Sequence, residues 1–357
     1  MATKKNAESK IKEILAPKAP PPASLEEARI RLSACVTQYN DLSKMATRFR
    51  LRMSDRTDKK TGEVRKCTLD ALSRASIQRD IDRFDEQMAE HKKEAVRLLK
   101  HFPEWEWLST VPCLGAFNVC GYALSTIDWE RAHTESVLVK LFGLAVSVGE
   151  DGVNRADRPR SGQTLGYRSI AKSALYVAMQ AMIKLSKRYP DTCGNNRYFK
   201  AYSDYRHRLL SSPRYDAVNN RFFRDGEWRP GGKAIIQNMA WRPAARLFIS
   251  DLYVVGRTLR GMPVRPPYQF VKFGYWHGTM HKCKDGYYNL TKEQAMSYVT
   301  GGLPVWPSEE SAAESTPSDL PAYARFGEPD LGHNDVSQEV DDIDAVMSEI
   351  SLEGADL

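Results

Sequence analysis

Two long apolar series, each stepping alternately by three and four residues, constrain this chain more than any other feature. The first runs Leu25, Ala28, Leu32, Cys35, Tyr39, Leu42, Ala46 and Phe49; the second runs Ile77, Ile81, Phe84, Met88, His91, Ala95, Leu98 and Phe102. Such spacing gathers every member onto one stripe of a helix, whereas a strand would scatter them over both faces. Ser24 stands before the first series with Glu26 and Glu27 in the opening turn. A hydroxyl there can take an orphan N–H, and the acids complement the positive end of the helix dipole, so a helix N-terminus is expected at Ser24. The polar run from Asp55 to Gly62 breaks the pattern. Residues 24–102 should therefore form two helices whose stripes meet either as an antiparallel hairpin or as a dimerising coiled coil. On the second reading the chain forms a homo-oligomer. His91 falls on the stripe without partners at helical spacing, which makes it a packed seam residue.

Charge is distributed very unevenly. The 357 residues sum to +7, yet residues 308–357 hold fourteen Asp and Glu against Arg325 alone, leaving +20 on residues 1–307. A basic body with an acidic tail points to a polyanionic partner, most simply nucleic acid, with the tail competing for the same surface. The excess is densest over 155–260, with 21 Lys and Arg against 7 Asp and Glu. Helical periodicity is visible there at about 167–188, 196–210 and 233–260. Tyr189, Tyr198, Tyr202, Tyr205, Tyr215, Trp228 and Trp241 are interleaved with the charges. Core packing accounts for most of these rings, while any left at the surface can stack unpaired bases.

No apolar run approaches the ~18 residues of a bilayer span, and the first ten residues lack the apolar stretch of a secretory signal. The expected location is cytoplasmic, with no membrane partner. Six cysteines without paired spacing are expected to be reduced thiols. His277, His281 and Cys283 offer three donors and no neighbouring fourth, so no metal is expected.

The expected fold class is mainly α. Residues 1–23, Lys-rich and then Ala/Pro-rich, form a flexible tether, and 24–102 the helical hairpin. Residues 103–268 form a helical domain containing a helix-hairpin-helix turn over Val111-Pro112-Cys113-Leu114-Gly115-Ala116-Phe117. In such a turn, backbone N–H groups at Leu114, Gly115 and Ala116 would face a phosphate, fixing position without reading sequence. Residues 269–307 form a small aromatic β-hairpin extension, with strands near 268–290 and a turn at Asp285-Gly286. The acidic tail, 308–357, is disordered in composition except for an amphipathic helix over 335–351.

The order of motifs in the middle of the chain resembles the C-terminal domain of the DEDD transposases, the IS-one-ten insertion-sequence group with its Piv/MooV invertase relatives. The residues concerned are the turn Val111–Gly115, then Ser125-Thr126-Ile127-Asp128-Trp129, Leu141-Phe142-Gly143-Leu144, Arg160-Ser161-Gly162, and the helix Ile170 to Ala178. Trp241-Arg242-Pro243-Ala244-Ala245-Arg246, Gly261-Met262-Pro263 and Pro267-Tyr268 resemble the closing segment of longer members. The resemblance covers about 105–268. It implies DNA recombination or transposition through a serine nucleophile, Ser161, or Ser169 if the motif is shifted. Arg158, Arg160 and Arg168 would stabilise charge on the attacked phosphate. Arg155, Lys172, Arg242 and Arg246 complete the basic residues placed on DNA. Members of the group also use metal-binding acids of an RNase-H-like domain, and some a guide RNA. Residues 1–100 show no strand pattern for such a domain, so no cofactor is assigned to this chain, and Mg²⁺ would require the acids of a partner. The alternative is a non-catalytic nucleic-acid-binding or assembly factor built on the same domain.

Overall fold

The structure, a computed structural model, describes residues 20–57, 64–111, 114, 117–148, 154–156, 167–190, 196–224, 226–267, 275–276, 279–280 and 286–300. The two heptad series become α1 (Leu25–Met53) and α2 (Ala71–Leu99). Ser24 caps α1 as expected, its Oγ accepting from Glu27 N at 3.1 Å, and Asp70 caps α2 by accepting from Ser73 N at 2.7 Å. Between them β1 (Arg56–Thr57) and β2 (Val64–Arg65) pair antiparallel and turn the chain back. The result is the antiparallel hairpin, with both stripes facing each other inside one chain. Ala28, Leu32, Cys35, Val36 and Ala46 of α1 are buried, as are Ile81, Ala95, Leu98 and Leu99 of α2. Phe49 meets Phe84 edge-on at 5.6 Å. Arg50 and Asp85 bridge the helices at 2.7 Å, but such an exposed pair contributes at most about 1 kcal/mol. The apolar stripe holds the hairpin.

The base of the hairpin belongs to the main core. That core continues through α3 (Trp105–Leu108), α4 (Phe117–Thr126), α5 (Glu135–Leu141), α6 (Ser169–Arg188), α7 (Arg197–Leu210) and α8 (Gly232–Thr258). The last three match the helical periods at 167–188, 196–210 and 233–260. Every residue of α8 from Phe248 to Thr258 is buried, as expected of a helix enclosed on all sides. Trp107 stacks on Phe248 at 6.1 Å, Tyr198 meets the same ring edge-on at 5.7 Å, and Tyr176 meets Trp241 at 5.3 Å.

Several cations of the basic stretch serve this interior. Arg197 faces the buried Asp251 at 3.4 Å, and Arg260 is paired with the buried Glu104. Arg257 donates to the carbonyls of Trp129 at 2.7 Å and Pro263 at 2.8 Å.

Two regions differ from the sequence reading. Between α7 and α8 stands a three-stranded antiparallel sheet of β5 (Tyr215–Asp216), β6 (Arg221–Arg224) and β7 (Glu227–Pro230), which the helical periods did not reveal. Phe222 on its inner face packs with Leu209 and Ile236 in a small second core. An earlier ribbon pairs β3 (Val146–Val148) with β4 (Asn154–Ala156). Near 268–290 a β-hairpin is present, β8 (Tyr275–Trp276) with β9 (Thr279–Met280), but residues 277 and 278 lie between its strands. Asp285 of the expected turn lies outside the described residues, and Tyr288 beyond it pairs with Val264. The extension then enters a helix, α9 (Lys292–Val299), started by a capping box between Thr291 and Gln294, which buries Ala295, Tyr298 and Val299.

The tether up to residue 19 and the tail 308–357, with its 335–351 helix, lie outside the described residues, as do His277, His281 and Cys283. No described helix is long and apolar enough to cross a membrane.

Candidate nucleic-acid interface

The end of α5 is the corner about which the predicted basic residues can be located. Gly143 stops the helix at φ +63°, a left-handed conformation that glycine adopts without steric cost. Gly143 N then donates to Lys140 O at 2.9 Å and Leu144 N to Val139 O at 3.0 Å, the paired bonds of a Schellman stop. This is the Leu141-Phe142-Gly143-Leu144 motif, and its local geometry follows from that single glycine.

Three chain segments close on the corner. Arg168 N donates to Leu141 O at 3.1 Å, tying the start of α6 to the end of α5. One turn into α6, Lys172 crosses over Gly143: a Cβ at that glycine would stand 2.8 Å from Lys172 Cδ and from Tyr167 Cδ2. Lys172 Nζ lies 4.5 Å from the centre of the Tyr167 ring. From α8, Arg242 donates through Nη2 to Leu144 O at 3.3 Å. Arg246, one turn further along α8, stands 4.0 Å from Glu135 Oε1 at the other end of α5. Four predicted residues, Arg168, Lys172, Arg242 and Arg246, are thus brought to one helix and its exit.

A fifth cation was missed. The Arg242 guanidinium is less willing to hold its proton than a free arginine, first because it is partly buried and then because Arg224 and Arg246 repel it. Arg224 comes from β6, which had no place in a helical reading. Its signal lay in Arg221-Phe222-Phe223-Arg224 followed by Asp225-Gly226, an alternating strand before a hairpin turn. Three arginines from two elements, with the Glu135 carboxylate at their far edge, form a cationic group. Arginine does not shed its proton at neutral pH, so the group holds its charge and attracts anions.

The beginning of α6 adds to this field. Arg168 occupies its N-cap position without a side-chain capping bond, leaving the N–H groups of the first turn to other acceptors. The Arg168 side chain is exposed and lines an open cleft with Arg29, Ser33, Thr37, Ser125 and Thr126. Ser169, the fallback nucleophile, is the first residue of α6 and is half-buried.

No protein-family model, curated protein or solved structure matches this chain. What the site can do is therefore argued from its own chemistry.

Other predicted residues are distributed differently. Leu114, expected to offer its backbone N–H, is fully buried in the main core and its carbonyl accepts from Cys120 Sγ at 3.2 Å. Arg155 lies in β4 opposite Ser147, in the ribbon that follows the corner. Gly115, Ala116, Arg158, Arg160 and Ser161 lie outside the described residues. Of the interleaved aromatics, Tyr198, Tyr202 and Trp241 are buried in the core, whereas Tyr189 and Trp228 remain 47% and 45% exposed.

Proposed function

We propose that this protein binds nucleic acid by its sugar-phosphate backbone, with Arg224, Arg242 and Arg246 at the centre of the contact and Lys172 and Arg168 beside it. The observation that carries this reading is the convergence of Arg168, Lys172 and Arg242 on the corner at Gly143 and Leu144, with Arg246 one turn further along α8 and Arg224 near enough to repel the Arg242 charge. Like charges assembled in a partly desolvated place repel one another, and an anion placed among them reverses the sign of the interaction. Arginine suits a phosphate because its planar fork donates two parallel hydrogen bonds. The net excess on 155–260 provides the longer-range attraction that steers a polyanion to the site. The resemblance to DEDD transposases favours DNA as the ligand.

Backbone contacts of this kind release counterions, so log Kd should rise with log salt by roughly 0.9 per phosphate held on duplex DNA. Binding of a labelled duplex is measured by fluorescence anisotropy from 50 to 300 mM KCl. Arg242→Gln should weaken binding uniformly across sequences and reduce the salt slope by about 1. An unchanged slope and affinity in Arg242→Gln and in the Arg224→Gln/Arg246→Gln double variant would overturn the proposal. Strand exchange carries a further requirement, a covalent protein–DNA adduct that Ser161→Ala abolishes. Binding without any adduct is the outcome of the non-catalytic reading.

A further inference from the structure

The sheet that lends Arg224 to the cationic group has a second face. In the β6–β7 register Phe223 pairs with Trp228 and Arg221 with Pro230. Because side chains alternate along a strand, these four residues share the face opposite the buried Phe222. Phe223 and Trp228 are 37% and 45% exposed, with ring centroids 5.5 Å apart at 62°. Arg221 lies over the Trp228 ring at 5.6 Å and is held by Asp216 at 2.8 Å. Both rings keep between a third and a half of their surface in contact with water, apolar area that a stacked ligand would bury.

Residues 197–233 carry nine Lys and Arg against four Asp and Glu. The face is thus aromatic, edged by a guanidinium and set in a positive field, which suits a flat π system attached to phosphate. We propose that the outer face of β6 and β7 is a stacking platform for unpaired bases, giving this protein a preference for single-stranded over duplex nucleic acid. The inference rests on the phosphate-binding reading above and adds the form of the ligand. Phe223 and Arg224 are adjacent on β6 and point to opposite faces of it, so a nucleic-acid strand stacked on the outer face reaches the cationic group only by passing the edge of the sheet. A duplex offers phosphates but keeps its base faces stacked internally. A single strand offers both.

The test compares an oligo(dT) 20-mer with a 20-base-pair duplex, each fluorescein-labelled, on the full chain at fixed salt. Wild type should bind the single strand more tightly. Trp228→Ala should weaken single-strand binding by about 5- to 100-fold, the range of base–aromatic stacking, while duplex affinity stays within twofold. Trp228→Phe, which keeps a ring, should recover most of the loss. Circular dichroism melting of each variant checks that the exposed position has not altered folding. Equal losses on both ligands, or none on either, would overturn the platform while leaving backbone binding intact. A wild-type protein that binds neither ligand would overturn both proposals. A change in oligomeric state of Trp228→Ala on size-exclusion chromatography, with single-strand binding intact, would assign the face to a second copy of the chain instead.

Discussion

The indole of Trp129 lies against the backbone of Gly256, where an added Cβ would come within 2.0 Å of Cη2 and 2.5 Å of Cζ2 and Cζ3. The Arg260 guanidinium lies over the same ring, 4.8 Å from its centre. The loop between α4 and α5 is thereby clamped to the end of α8, and Arg257 adds bonds to its carbonyls.

Gly256→Ala should accordingly be a severe core change although alanine is the better helix former. A rigid ring has no route out of a packed interior, so overpacking should destabilise the fold by about 1–3 kcal/mol or more. Urea denaturation followed by circular dichroism measures this. A stabilised variant, as helix propensity alone would give, would show that the clamp yields freely.

Gly143→Ala should lose about 1–2 kcal/mol from the left-handed backbone alone, with a further loss from contact with Tyr167 and Lys172. Gly226 provides the comparison, since it also has positive φ, +83°, but has nothing within 4 Å of its added Cβ. Thermal melts should therefore rank wild type above Gly226→Ala and Gly226→Ala above Gly143→Ala. Equal losses in the two variants would mean that the crowding at the corner has no energetic weight.

Asp251 should make stability depend on pH. Burial pushes its carboxyl up to about 7, against the opposing influence of Arg197 and the Tyr198 hydrogen bond, with Glu135 adding to the rise. An unfolded aspartate titrates near ~3.9, so between these values the folded chain holds the extra proton. The stabilising contribution is complete below about pH 4 and is lost as pH rises through about 7, by at most about 1.4 kcal/mol per pH unit. Denaturation midpoints collected from pH 5 to 8 should fall in wild type and fall less in Asp251→Asn. Parallel slopes would place this proton elsewhere.

Removing residues 308–357 takes away fourteen acids and one arginine. If the tail competes with nucleic acid for the basic body, the truncated chain should bind several-fold more tightly at 10 mM salt. The gain should fade near 0.15 M, where the screening length falls from about 30 to about 8 Å. Equal affinities at 10 mM would exclude competition.

The hairpin was legible because helix periodicity and capping are local. The stripes of α1 and α2 and the Ser24 cap need only neighbours three and four residues apart, and the same holds for α6, α7 and α8. That the two stripes pack on each other within one chain was not local, and it is seen only in the packing of α1 on α2. The β5–β7 sheet had its alternation and its Asp225-Gly226 turn in plain view. Its longest strands have four residues, however, too few for period two to stand out among long helices. Charge counts failed in another way: they cannot distinguish Arg260, enclosed with Glu104, from Arg242, gathered with Arg224 and Arg246. Burial and neighbourhood arise when distant segments pack, and Lys172 and Arg242 come to the corner at Gly143 and Leu144 only because α5, α6 and α8 share one core.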